Sequence, residues 1–238
     1  MLGFCDSVRL ELDGNSVEAQ SLWAIARAGR VLDGMSSSVA DDIQQAEQAV
    51  TKAIAAAPRS ALAHLARGEV FRAQGCPKEA IPELETAIAF NRNWVYAIAA
   101  LGWCKFFAGA PAEVVPLHEQ VIRLSPGDPQ IGVWYFRIGR LHQLQSRTEE
   151  AIFWLERAVR ANPDHPLINA HLASAYALSY EPERASAELA EARRLSGDPR
   201  YESMARLISA GYWGVPKVRQ LFEASYFDGL RKAGVPEE

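Results

Sequence analysis

The chain has 238 residues, 25 of them Lys or Arg and 29 Asp or Glu, and 49% are hydrophobic, which is the composition of an ordinary folded protein. A net charge of −4 supplies no electrostatic footprint for nucleic acid or an anionic membrane surface. The three cysteines, Cys5, Cys76 and Cys104, are odd in number and lack a Cys-x-x-Cys spacing, so they fit a reducing compartment better than a disulfide framework. Abundant Ala, with Thr only at Thr51, Thr86 and Thr148, favours helix over sheet. Residues 1–15 form an N-terminal segment. No apolar stretch of signal-peptide length precedes Cys5, so a lipidated cysteine is not expected there. A first helix is predicted from Ser16 to Leu32 with Trp23 and Ile25 inward, and a long connection, Asp33 to Ala40, leads to a second helix capped by Asp41 or Asp42.

From Arg59 onward the chain repeats itself. Small residues recur at Gly68, Gly102, Gly139 and Ala173, with spacings of 34, 37 and 34. Ala80, Val114, Ala151 and Ala185 each follow 12 residues behind, then Leu84, His118, Leu155 and Leu189, then Ala87, Val121, Ala158 and Ala192. Each unit closes on a turn signal: Asn91-Arg92, Ser125-Pro126, Asn162-Pro163 and Ser196-Gly197. The three extra residues lie in Gly127-Asp128-Pro129-Gln130, which is loop chemistry. Ala46, Val50, Ala53 and Pro58 match the second-helix positions one period earlier. Small residues at these points let one helix approach the next. This pattern resembles the tetratricopeptide repeat (TPR) family, with Phe71 and Tyr176 fitting its aromatic position and Lys105 and His142 departing from it. The resemblance implies an all-α, right-handed superhelical solenoid of antiparallel helix pairs. It divides the chain into a divergent pair over 16–58, four repeats over 59–197 (about 61–94, 95–131, 132–165 and 166–197) and C-terminal capping helices over 198–238.

In that last stretch, Asp198-Pro199 is predicted to start a helix running to about Gly211. An amphipathic helix follows from Val215 to Ala233, with Val218, Leu221, Phe222, Tyr226 and Leu230 on one face, and is expected to cover the open end of the repeats. The tail from Leu221 to Glu238, with Arg30-Val-Leu-Asp-Gly-Met and Ala40-Asp-Asp-Ile-Gln-Gln-Ala-Glu, is similar to the TPR regions that follow the catalytic domain of bacterial class III adenylate/guanylate cyclases and related regulators. No cyclase domain or its metal-binding aspartates is present in the sequence. What the resemblance implies is therefore a regulatory or sensory module, with a cyclase-like or regulator domain as one candidate partner.

In the TPR family the first helix of each pair lines the concave face. Carried onto this sequence, the inward positions give a groove with an aromatic middle, in which Glu69, Arg72, Tyr96, Trp103, Phe106, Phe136, Arg140 and Gln143 are the candidate partner-binding residues. Aromatic and Arg side chains are the usual interface anchors. Aromatics at helical spacing also build cores, and a one-residue change of register would bury half of these. Leu65, Glu69, Ala99 and Trp103 occupy the positions of the carboxylate clamp of chaperone-binding TPR domains and do not reproduce it. No nucleophile elbow, phosphate loop or dinucleotide fingerprint is present, and His64, His118, His142, His165 and His171 are scattered rather than paired as metal ligands. The expected function is a non-catalytic scaffold that binds a protein or peptide, with no cofactor and no metal. The most apolar run, Trp94 to Cys104, is cut by Lys105 after about half of the ~20 residues a membrane span needs. A cytoplasmic location is expected.

Overall fold

A computed structural model describes residues 16–32, 35–210, 213 and 215–238 of the protein. The described residues are helical throughout their regular structure, without strands. Residues 1–15, with Cys5, lie outside them, as do Asp33, Gly34 and Gly211. The chain divides into two compact units, Met1–Ala108 and Gly109–Glu238, and the boundary falls in the turn inside the second repeat.

The first unit contains α1 (Val17–Leu32), α2 (Val39–Ala56), α3 (Ala61–Ala73), α4 (Pro77–Phe90) and α5 (Val95–Phe107). α1 pairs with α2 and α3 with α4. Alanines make the close faces: Ala24, Ala28, Ala46, Ala49 and Ala66 are buried together with Val50 and Val70. Trp23 and Ile25 pack on this cluster from its edge, and the innermost positions of α1 are Ser21, Ala24 and Ala28. A Cβ on Gly68 would stand 2.6 Å from Leu84 Cδ2, which is why the first helix of the repeat carries glycine where it crosses the second.

The start of α2 differs from expectation. Ser38 is its cap, its hydroxyl accepting from the Asp41 amide at 3.4 Å. Asp42 instead turns into the α1–α2 interface, where its buried carboxylate accepts from Arg27 Nη1 (2.6 Å), Arg30 Nε (3.2 Å) and the Ser36 hydroxyl (2.7 Å). Burial opposes the charge of Asp42, but Ser36 and the two arginines outweigh it and hold the carboxyl below its ordinary range.

The second unit contains a 3₁₀ turn (Pro111–Glu113), α6 (Val114–Leu124), α7 (Ile131–Leu144), α8 (Thr148–Ala161), α9 (Pro166–Leu178) and α10 (Pro182–Ser196). Its core gathers Phe136, Ala151, Leu155, Ala158, Ile168, Leu172, Ala175, Tyr176 and Ala185. Gly139 meets Leu155 as Gly68 meets Leu84: a Cβ there would lie 2.8 Å from Leu155 Cγ. Gly197, at φ 66°, ends α10 in the left-handed conformation that glycine adopts without strain.

After Gly197 the single predicted helix is two pieces. Asp198 caps a 3₁₀ turn (Pro199–Glu202), and Ser203, with extended backbone at φ −149° and ψ 156°, interrupts the chain before capping α11 (Met204–Ser209). The break turns Tyr201 into the interior, where it is buried. The C-terminal helix is continuous but not uniform: α12 (Pro216–Phe222), a π turn (Glu223–Phe227) and α13 (Asp228–Lys232). Its end returns to α11, where the carbonyls of Pro236 and Glu237 accept the amides of Met204 (2.8 Å) and Ala205 (3.1 Å). These amides open a helix and have no partner within it.

Candidate functional site

The eight groove candidates divide between the two units, and each group has a different fate. In the first unit, Glu69 and Arg72 are one turn apart on α3. Arg72 Nη1 donates to both Glu69 carboxylate oxygens at 2.6 Å, and its guanidinium lies 4.8 Å from the centre of the Trp103 ring on α5. Tyr96, seven residues before Trp103, shares its face of α5, since seven residues make about two helical turns. Tyr96 is 50% exposed, and Trp103, Arg72 and Glu69 are partly exposed. Phe106 is different. It is only 2% exposed and stands edge-on to Phe107 at 4.8 Å, so it belongs to the core.

In the second unit, Phe136, Arg140 and Gln143 occupy one face of α7, and that face is already filled. Gln143 is buried, with its amide nitrogen donating to the His171 carbonyl (3.2 Å) and to Ser174 Oγ (2.9 Å). Its amide oxygen lies 2.7 Å from His171 Nδ1, which therefore carries the proton. The Ser174 hydroxyl in turn donates to the Tyr226 carbonyl at 2.9 Å. His171 stacks on the Tyr226 ring at 3.8 Å and 13°, and Phe136 meets His171 edge-on at 5.1 Å. The occupant of this face is thus the C-terminal helix of the same chain. Arg140 lies 5.2 Å from the Phe136 ring, and burial pulls its pKa down to about 10, so it remains charged at neutral pH. Burial also pushes the Tyr226 phenol well above its ordinary value, reinforced by neighbouring Tyr201.

His171 and Ser174 on α9 complete this contact through Tyr226, Ser174 standing at an inward position of the repeat register, whereas a regular helical reading of the tail does not find Phe227. In a uniform α-helix the Phe222, Tyr226 and Leu230 face turns Phe227 toward its flank. The π turn adds a residue to one turn, and Phe222, Tyr226, Phe227 and Leu230 are all buried. Trp213 closes the aromatic group, 5.1 Å from Phe222 and 4.9 Å from Phe227, with its indole nitrogen donating to the Ile208 carbonyl at 2.9 Å.

The scattered histidines serve the helices. His64 Nδ1 contacts Glu83 at 2.6 Å and its Nε2 contacts the Pro58 carbonyl at 2.9 Å. His118 and His171 are buried. Among the described residues no three His, Cys, Asp or Glu side chains converge as metal ligands; Cys76 is half-buried in the turn before α4 and Cys104 is buried within α5.

Residues 135–165, which span most of α7 and all of α8, match the tetratricopeptide repeat model. The fold is the tetratricopeptide repeat fold. Among solved structures, that from the functional characterization of Pseudomonas aeruginosa PilF is 18% identical, with 91% of this chain and 87% of that one covered at a TM-score of 0.65. PilW, described as a widely conserved type IV pilus biogenesis factor, is also 18% identical, covering 90% and 88% at 0.64. The anaphase-promoting complex hetero-tetramer Cut9–Hcn1 is 16% identical, covering 82% of this chain and 36% of that one at 0.67. No curated protein matches the sequence. Among the described residues, no helix is long and apolar enough to cross a membrane.

Proposed function

We propose that the chain is a non-catalytic scaffold that binds a protein or peptide segment on the first helices of its repeats, and that the open part of this site is Glu69, Arg72, Tyr96 and Trp103 in the first unit. The observation that carries the reading is the half-exposed Tyr96 on the same helical face as a Trp103 ring already overlaid by Arg72. Tyr and Trp bury large area at modest entropic cost, and together with Arg they dominate binding energy at interfaces. Glu69 holds the Arg72 guanidinium in place, so the cation–aromatic pair is preorganised for a ligand. Phe106, Phe136, Arg140 and Gln143 then act as packing residues rather than as surface. A protein partner agrees with the assembly in which the Cut9 repeat fold occurs, and a cytoplasmic site of action is part of the same reading.

The test is affinity capture from the source cytosol with the full chain and with Tyr96→Ala and Trp103→Ala. A partner held by these rings should be lost or weakened by about 2 kcal/mol, roughly thirtyfold, while far-ultraviolet circular dichroism stays unchanged. Retention of every partner by both folded variants overturns the reading. The similarity of the tail to cyclase-associated regions motivates a second reading, a regulatory module whose groove contacts a cyclase-like or transcription-regulatory domain. Co-purification of such a domain, dependent on Trp103, would favour it; its absence among the Trp103-dependent partners would count against it.

A further inference from the structure

The second unit carries another aromatic and arginine cluster, away from its filled face. Arg157 on α8 lies 4.8 Å from the Tyr135 ring, 5.4 Å from Phe153 and 5.5 Å from Trp154, and its Nη2 is 3.4 Å from the Tyr135 hydroxyl. The rings also contact one another, Tyr135 with Trp154 at 5.7 Å and Phe153 edge-on to Trp154 at 5.4 Å. Phe153 is 52% exposed and forms one aromatic patch with Trp154 and Tyr135, on a helix whose core residues are Ala151, Leu155 and Ala158.

Charge sets this cluster apart. Neighbouring arginines are neutralised locally: Arg160 by Glu156, Arg184 by Glu156 and Glu181, and Arg194 by Glu191. Among the described residues no carboxylate forms an ion pair with Arg157. Glu156, next in sequence, is engaged by Tyr176, Arg160 and Arg184 on its own side. The guanidinium is therefore a cation held between rings, partly stripped of water, with its charge unanswered by the protein. A carboxylate arriving there can take the planar fork in two parallel hydrogen bonds, and an apolar side chain beside it can cover Phe153.

The geometry points to a second docking surface on α7 and α8, formed by Tyr135, Phe153, Trp154 and Arg157, whose occupant is a protein segment presenting an Asp or Glu next to a large apolar side chain. This surface is independent of the Tyr96/Trp103 site. Four rigid aromatic and arginine side chains already in mutual contact lose little entropy on binding, and the carboxylate requirement supplies the specificity.

The test selects a random peptide library displayed on phage against the full chain, then measures the recovered peptides by fluorescence anisotropy. Recovered sequences are expected to place an acidic residue beside an aromatic or aliphatic one. Their affinity should fall at least about tenfold with Arg157→Gln and with Phe153→Ala, fall less with Arg157→Lys, and stay unchanged with Trp103→Ala. Circular dichroism and thermal melts of each variant show that the fold is retained. Failure to recover acidic–apolar peptides, or equal binding by Arg157→Gln and Phe153→Ala, overturns the proposal. Loss on Trp103→Ala alone assigns the peptides to the first-unit site. Concentration-dependent self-association abolished by Phe153→Ala makes a second copy the occupant, and also overturns it.

Discussion

His118 shows how a single residue can break a repeat's chemistry while keeping its geometry. It stands where the other repeats place Leu84, Leu155 and Leu189, and it is buried as they are. Its Nδ1 donates to the Val114 carbonyl at 3.1 Å, and Arg137 Nη1 lies 3.5 Å from Nε2, so the ring is held neutral. Burial first, then the positive charge of Arg137, pull its pKa from 6.5 to about 3. A histidine that is neutral when folded and free to protonate when unfolded stabilises the fold fully above pH 6.5. That contribution shrinks as pH falls from 6.5 toward 3, by about 2 kcal/mol at pH 5. His171, fully buried and pulled the same way, adds to the slope. Urea unfolding of His118→Leu at pH 7 and pH 5 is therefore expected to show a pH difference about 2 kcal/mol smaller than that of the parent chain; an equal difference in both proteins would refute the assignment. The 34-residue spacing alone places position 118 inward. That the imidazole finds a carbonyl there depends on how the first turn of α6 is placed, which spacing does not carry.

At the scale of elements, the helices of the repeats are readable from small residues and turn signals, while the caps and the tail are less so. Asp41 and Asp42 are both plausible caps by type, yet Ser38 takes the role, because Arg27 and Arg30 on α1 draw the Asp42 carboxylate into the interface. The tail's amphipathic face is legible, but its seat also depends on a close approach that residue types in the tail alone do not announce. A Cβ on Gly229 would lie 2.5 Å from the Ser174 carbonyl oxygen, a backbone atom that cannot swing aside. Gly229→Ala should lift the C-terminal helix from α9 and cost about 3 kcal/mol. The readouts are a lowered melting temperature and a shift in Trp213 emission as its contacts with Phe222 and Phe227 loosen. An unchanged melt would show that the seat is soft and that the helix is held elsewhere.

Each unit of the whole molecule has a core of its own, built mainly by contacts between successive helices. Stability in such an array is a sum of local terms. Leu155 is fully buried where α8 meets Gly139 of α7, so Leu155→Ala should cost about 3 kcal/mol. Hydrogen exchange read by mass spectrometry is expected to show lost amide protection across 131–196 and unchanged protection across 61–90; equal loss in both stretches would mean one cooperative block. At this scale the sequence by itself determined the helical class and the phase of the repeats, because close helix crossings demand Gly or Ala at fixed intervals and leave that demand in the residue types. It also marked Tyr96, Trp103 and Arg72 as residues suited to an interface. Only the tertiary structure decided which aromatic positions are surface and which are filled. Phe136 and Gln143 share the helical spacing of Tyr96 and Trp103, but the C-terminal helix, more than 80 residues later, brings Tyr226 onto His171 and closes their face. Periodicity records which side of a helix is inward; it holds no information about which distant segment arrives to cover that side.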